Sequence, residues 1–446
     1  MISNSFLSQS SYQNHRAIWA LAWPMILSNI SLPLLGLIDT AILGHLDSAI
    51  YLGAVAVGSS IITFILWAFA FLRMGTTSLS ARAYGANQYQ KMRLLLSQSI
   101  LLALFLGICI TLLLPFGLSI ALKLMNPSPD VLIWAESYCQ IRLLSAPASL
   151  MMYAIVGWLI GQQNTRGPLI ILLLTNCINI VLDWLFIIHW DYLSDGAAWA
   201  TVIAEYCGVL LALYLVNKQL KTMPGKTDKK ELFQIKNYFE LLKVNKHLFV
   251  RTVSLLLVFA FFTSRGAQTN DIVLAANAIL LQLVLFISYG LDGFAHAAEA
   301  LVGKAIGAKD KALFKLTCIN TTVWALITAM IFFLICIIFK ETIVTSFSHL
   351  NPIIETTEKY YWWLCLMPLI GIWSYQLDGI FIGAGKTLAM QNTMVLATFF
   401  IFFPLWWSTQ DYGNHGLWFS FSVFILARAI LLGAVFWRNT FKGLWF

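Results

Sequence analysis

Charge is scarce in this 446-residue chain. Only 11% of its residues are Asp, Glu, Lys or Arg, against about 25% in a soluble globular protein. That shortage excludes an ordinary water-facing surface. Catalytic and metal motifs are missing as well: there is no H-E-x-x-H, no G-x-S-x-G and no ligand-spaced Cys/His group. The chain is therefore expected not to be an enzyme and to need no cofactor. The seven cysteines form no C-x-x-C pair and all fall in apolar segments, where they read as small buried hydrophobes. The start, "MISNSFLSQSSYQNHR", lacks the apolar core and small-residue cleavage site of a signal peptide. The first span is expected to direct insertion itself.

What is abundant is apolar surface: 59% hydrophobic residues and a mean hydropathy of +0.78. A spanning helix needs about 20 mostly apolar residues, and only helices and closed barrels satisfy the backbone in lipid. The apolar runs are too long for barrel strands. They predict an all-α membrane protein with twelve spans, near 17–43, 51–73, 93–116, 131–158, 168–189, 196–217, 247–266, 272–297, 313–339, 358–382, 391–408 and 413–437.

Basic residues fix the orientation. The termini, the alternate loops on their side and the linker 218–246 together hold about twenty lysines and arginines. The opposite loops hold four, Lys123, Arg265, Lys340 and Lys359. The positive-inside rule places both termini and the linker in the cytoplasm. Topology thus accounts for the net charge of +8, and no nucleic-acid partner is required.

The linker divides the chain into an N-terminal lobe (1–217) and a C-terminal lobe (247–446), six spans each. A shift of 222 residues superposes "LGAVAV" (52–57) on "LAANAI" (274–279) and "ARAYGAN" (81–87) on "GKAIGAK" (303–309). It also pairs Gly157 with Gly379 and Thr165 with Thr387, and Pro147 falls close to Pro368. Six helices repeated in one orientation give two lobes related by a pseudo-twofold axis along the membrane normal. Parallel repeats of this kind belong to transporters.

Within the first lobe, "SLPLLGLIDTAILGHLD" (31–47) buries Asp39 in apolar surroundings. Asp39 lies some 22 residues into the first span, in its outer half at about 1.5 Å per residue. The fifth span carries Asn179 and Asp183, whose i, i+4 spacing shares one face. Thr201 follows about one turn into the sixth span. Two carboxylates in low dielectric cannot easily both be ionised, and one proton or one cation relieves them. Asn and Thr oxygens suit Na⁺ or the hydrogen bonds of a protonated acid. The repeat places Phe261, Ile401 and Leu405 opposite Asp39, Asn179 and Asp183, so the acid cluster is not duplicated. Pro33, six residues before Asp39, can bend the first helix. A change of occupancy at Asp39 is expected to act there.

Asp292, His296 and Glu299 lie along the eighth span near its cytoplasmic end, where an ion-paired helix end is the simpler reading. Asp378 fits a secondary coupling role or a helix contact equally well, and Asp292 is a further secondary candidate. Arg73, Arg142 and Arg428 need carboxylate or carbonyl partners, with Glu205 available for one of them. "GIFIGAGKT" (379–387) imitates a phosphate loop, but Ile380 stands where the first glycine belongs and the stretch ends a span.

The segments "PLLGLIDTAILGHLD", "FLRMGTTSLSARAYGA", "RLLSAPASL", "NIVLD", "GAAWATVIAEY", "LDGFAHAAEALVGKAIGA" and "LDGIFIGA" resemble the multidrug and toxic compound extrusion (MATE) family, most closely its DNA-damage-inducible protein F (DinF) branch. The resemblance runs in order along nearly the whole chain. It implies twelve helices in two lobes and export of small organic compounds, often cationic or amphipathic. It also implies coupling to H⁺ or Na⁺ in a bacterial inner membrane, by a chain expected to work as a monomer within the lipid bilayer. The family's coupling residues match Asp39, Asn179, Asp183 and Thr201. Acids used by another branch on helices 7 and 10 are not evident, since helix 7 has none and Asp378 is out of register. That favours coupling in the N-terminal lobe. "GAGKT" replaces the usual "GAT" after helix 10. Abundant aromatics and twelve methionines suit an adaptable apolar wall. A lipid-linked oligosaccharide flippase of the same superfamily is the alternative, and a more cationic cavity would be expected of it.

Overall fold

A long apolar segment in lipid has no water for its backbone N–H and C=O groups, so it closes its hydrogen bonds within itself as a helix. The computed structural model describes residues 2–44, 46, 48–125, 128–225, 229–347 and 350–446, and their regular elements are all helical. His45 and Asp47, quoted above, and 226–228 of the linker lie outside the described residues. In order the long helices are α1 (Ile2–Leu43), α2 (Ile50–Gly85), α3 (Tyr89–Leu113), α4 (Pro129–Leu143 with Ala146–Gly161), α5 (Arg166–His189) and α6 (Leu193–Lys221). They continue with α7 (Ile235–Ala267), α8 (Asp271–Gly307), α9 (Lys311–Ile338), α10 (Asn351–Gly383), α11 (Thr387–Tyr412) and α12 (Asn414–Phe441). Side-chain caps open several of them. Asn270 accepts from the Val273 N–H at 2.7 Å before α8, and Asp310 from Leu313 at 2.9 Å before α9, each satisfying a first-turn donor.

One span departs from expectation. The run near 131–158 is two helices meeting at 48°. Pro147 sits at the start of the second piece, where its missing N–H costs nothing, whereas mid-helix it would break the ladder. Its counterpart Pro368 stands inside α10, which continues through it. α1 likewise runs through Pro33 as one helix. Wide π-helical turns, invisible in the sequence pattern, occur at Trp184–His189 in α5 and Leu396–Phe402 in α11.

The repeat is written into the backbone. Left-handed residues occur at Asn87 and Lys309 (both φ 56°), Gln163 and Gly385 (62° and 70°), and Asp191 and Gly413 (both 56°). Each pair is related by the 222-residue shift. The "GAGKT" stretch is therefore the tight helix–helix turn that matches Gln163, not a phosphate loop. The helix packing repeats too. A Cβ on Gly157 of α4 would sit 2.3 Å from the Arg73 carbonyl oxygen of α2, and one on Gly379 of α10 would sit 2.4 Å from that of Ala295 in α8. Only glycine admits so close an approach of backbones.

The chain forms two compact units, Leu27–Asn245 and residues up to Ile26 together with Lys246–Phe446. The first part of α1 thus packs with the C-terminal helices. Trp19 lies edge-on to Phe294 and Trp324 at 5.4 and 5.1 Å. Asn14 donates to Thr317 at 3.2 Å and accepts from Asn320 at 3.1 Å. The linker belongs with the N-terminal helices. Its Glu240 pairs with Lys91 at 3.0 Å and with Arg82 at 3.6 Å.

Candidate functional site

Late in α1, at the end of the regular part of α5 and early in α6, polar side chains converge within the unit Leu27–Asn245. Asn179 and Asp183 are each 1% exposed and occupy one face of α5, a single turn apart. The Asn179 Nδ2 donates to Thr201 Oγ1 at 3.3 Å, and that hydroxyl donates back to the Ala197 carbonyl at 2.9 Å. The Asp39 and Asp183 carboxyl groups lie close enough to act electrostatically on one another. All four residues expected from the sequence meet here. The regular helix of α5 ends at Asp183, and the wide turn begins at the next residue.

Hydrogen-bond accounting gives the cluster its character. Asp39 Oδ1, Asn179 Oδ1 and both carboxylate oxygens of Asp183 are buried without a donor among the described residues. All four atoms are acceptors. An unmet buried polar atom costs about 1–3 kcal/mol, more when charged, so such a grouping favours a positive occupant. A proton shared between the two carboxylates would turn their repulsion into a hydrogen bond. Oxygen donors of carboxylate, amide and hydroxyl type equally suit a hard cation such as Na⁺.

A shell that the sequence left unassigned surrounds these acids. Arg142 lies close enough to act electrostatically on Asp39 and Asp183, yet its hydrogen bonds go elsewhere. Its Nη1 donates to Glu205 at 3.1 Å and to Ser145 Oγ at 2.9 Å, with Tyr138 close by. Ser149 donates to the other Glu205 oxygen. The guanidinium is thus held by a carboxylate of its own. With every group ionised, three acids face one arginine. Glu205 fills the partner role foreseen for one of the arginines. The choice of Arg142 rests on the α4–α6 contact, which no local spacing encodes.

The C-terminal unit is arranged differently. Asp378 Oδ2 accepts from Arg428 at 2.9 Å and also from Arg251, an arginine of α7 that the sequence reading passed over. All three side chains are nearly buried. Tyr375 stands beside this group, with Asp292 near Tyr375 and Tyr289. His296 Nδ1 and Glu299 lie 3.3 Å apart, one turn apart on α8, as an ion-paired helix end requires. Unlike the acids of the first half, Asp378 is matched by two cations.

Comparison with known proteins agrees with this architecture. The MatE family model matches the chain twice, over residues 24–185 and 248–407, once in each half. The chain is 39% identical to DNA damage-inducible protein F of Escherichia coli, covering 100% of this chain and 96% of that one. It is 22% identical to the multidrug resistance protein NorM of Vibrio cholerae over 93% of each. Among solved structures, a eukaryotic MATE transporter superposes with a TM-score of 0.87 at 18% identity, covering 95% of this chain and 96% of that one. A MOP superfamily transporter from Pyrococcus furiosus gives 0.85 at 18%, covering 94% of each. Two matched halves and full-length similarity to a DinF protein establish that the chain belongs to the MatE family of multi-pass membrane transporters.

Proposed function

We propose that this protein is a secondary active antiporter that exports organic compounds, often cationic or amphipathic, in exchange for H⁺ or Na⁺ taken up at Asp39, Asn179, Asp183 and Thr201. The observation that carries the reading is the set of four buried acceptor atoms without a donor among the described residues. Such a set holds a positive occupant well and an empty, fully ionised state poorly. Loading and unloading that occupant supplies the free-energy difference that drives the cargo. The names of relatives, a multidrug resistance protein among them, support cargo of this class. The unpaired acid cluster of Asp39 and Asp183 has no duplicate in the other half, which supports one coupling site per chain, and a chain that carries its whole coupling site can work as a monomer. Similarity to a bacterial DinF protein supports a location in a bacterial inner membrane, and the charge bias of the loops supports cytoplasmic termini.

Pro33 lies six residues before Asp39 on the same helix. Its ring leaves a carbonyl without its usual donor, so α1 bends there when the occupant of Asp39 changes. Comparing α1 at low and high pH checks this, and an identical helix at both would count against it. Asp378, held by two arginines, serves to tie α7, α10 and α12 together. Both guanidinium groups are engaged by that one carboxylate, which disfavours the flippase reading.

Proteoliposomes under separate H⁺ and Na⁺ gradients provide the test, with Asp39→Asn beside the wild type. The variant should keep its fold and lose gradient-driven efflux. Full driven efflux in Asp39→Asn would refute the site.

A further inference from the structure

The linker packs one side against the unit Leu27–Asn245 and leaves the other exposed. Leu241 and Val244, near the start of α7, are buried. Phe233, Ile235 and Phe239 are 77%, 85% and 71% exposed, and Leu242 is 46% exposed. Large apolar side chains left open together in a segment outside the expected spans mark an interaction surface. Lysines stand among them, for Lys230, Lys236 and Lys243 are exposed too. Residues 229–246 hold five lysines against two glutamates, and Glu240 is already engaged by Lys91 and Arg82. The segment therefore offers apolar groups and surplus positive charge side by side. Hydrogen bonds hold its shape. Asn237 Nδ2 donates to the Glu231 carbonyl at 2.8 Å, and the Asn237 N–H to the Gln234 carbonyl at 3.0 Å. The contact with α3 sets its depth. Gln234 and Glu240 share a cleft with Lys91, Leu94 and Gln98 of α3. The apolar run of α3 starts near residue 93, so the linker lies level with the edge of the hydrocarbon core.

We propose that this face of the linker docks on anionic phospholipid headgroups of the bilayer that holds the chain. Phe233, Ile235, Phe239 and Leu242 enter the interfacial layer, as the apolar side of a surface-lying amphipathic segment does. Lys230, Lys236 and Lys243 meet the negative headgroups, the usual lipid partner of basic residues beside a membrane span. A neutral lipid surface would accept the apolar side chains but leave the lysine charge unmatched. Lipid also needs no approach. The segment is tied to long apolar helices on both sides, α6 ending at Lys221 and α7, so headgroups are always within reach. The docking makes no use of the acid cluster. By the orientation proposed above, it is the charge of the cytoplasmic leaflet that holds the linker down.

Hydrogen–deuterium exchange of the full chain in nanodiscs tests it, with a single copy in each disc. One set of discs holds phosphatidylcholine alone, and the other holds phosphatidylcholine mixed with phosphatidylglycerol. A lysine beside an anionic surface contributes about fivefold to binding, so with three of them the amides of residues 229–243 should exchange at least about tenfold more slowly in the mixed discs. Lys230→Gln, Lys236→Gln and Lys243→Gln together should abolish that difference. Salt at about 1 M, which screens charges beyond roughly 3 Å, should do the same to the wild type. Phe233→Ser with Phe239→Ser should reduce the protection in both kinds of disc. All five side chains are exposed, so exchange in α3 and α6 should stay as in the wild type and report an intact fold. Equal exchange of the wild-type linker in the two discs would overturn the proposal. So would a difference that survives the triple lysine variant or high salt. Protection seen only in discs that hold two copies would assign the face to a second copy and overturn it as well. Both faces of a disc carry the same lipids, so the result does not depend on orientation. Asp39→Asn should match the wild type, which keeps failure of the antiport reading separately visible.

Discussion

Asp378→Asn separates a structural carboxylate from a coupling one. The substitution keeps the shape of the side chain and removes its charge. Two guanidinium groups then face a neutral amide, Arg251 at 7% and Arg428 at 5% exposure. Breaking a buried ion pair by removing one partner costs about 3–5 kcal/mol, because the remaining charge is left uncompensated. At roughly 2 °C per kcal/mol for a protein of this size, the thermal midpoint in detergent should fall by about 6–10 °C. Removing one arginine as well leaves a single unmatched charge. Asp378→Asn with Arg251→Gln should therefore recover about half of the loss, a coupling that a double-mutant cycle reads directly. Stabilisation of the protein by added Na⁺ or by acid should persist in Asp378→Asn, since the proposed occupant sits elsewhere. A midpoint within about 2 °C of the wild type, strict additivity in the cycle, or loss of the ion response would each refute this reasoning.

Two further outcomes follow from contacts in the first half and its repeat. Thr201→Val removes the hydroxyl that receives the Asn179 amide hydrogen; it should lower stability by about 1–3 kcal/mol and weaken the ion-dependent thermal shift, while an unaltered shift would remove Thr201 from the site. Gly157→Ala and Gly379→Ala each force a methyl group against a backbone oxygen, and each should cost about 1–3 kcal/mol in thermal unfolding. Gly433→Ala, whose methyl group meets only Leu377 Cδ1 at 3.8 Å, is the neutral control.

Much of this was legible in residue order because lipid leaves few choices. A long apolar run must be a helix, and an acid such as Asp39 or Asp183 within one needs company. The 222-residue register visible in "ARAYGAN" and "GKAIGAK" is carried into the backbone by the left-handed turns at Asn87 and Lys309. Cross-helix partnership was less legible. Arg142 finds Glu205 and Arg428 finds Asp378 through packing that no spacing rule reports. Arg251 stands at the edge of a basic linker in the sequence yet is buried against Asp378 in the fold. Pro147 and Pro368 show why proline alone is an incomplete guide. The first begins a new helix and the second is absorbed within one, according to whether the surroundings tolerate a lost hydrogen bond. The wide turn after Asp183 has no residue signature, and the membership of early α1 in the C-terminal unit depends on aromatic contacts hundreds of residues away.

Gly157 on Arg73 and Gly379 on Ala295 have a mechanical consequence. Where main chain rests on main chain, there is no rotamer to readjust and no slack for gradual sliding. These contacts act as rivets, and each riveted pair, α2 with the second piece of α4 and α8 with α10, must travel as one body. Whatever deformation accompanies a transport cycle is thereby pushed away from these pairs, toward the stretch of α1 around Pro33, where a Cβ on Gly36 would meet nothing within 4 Å.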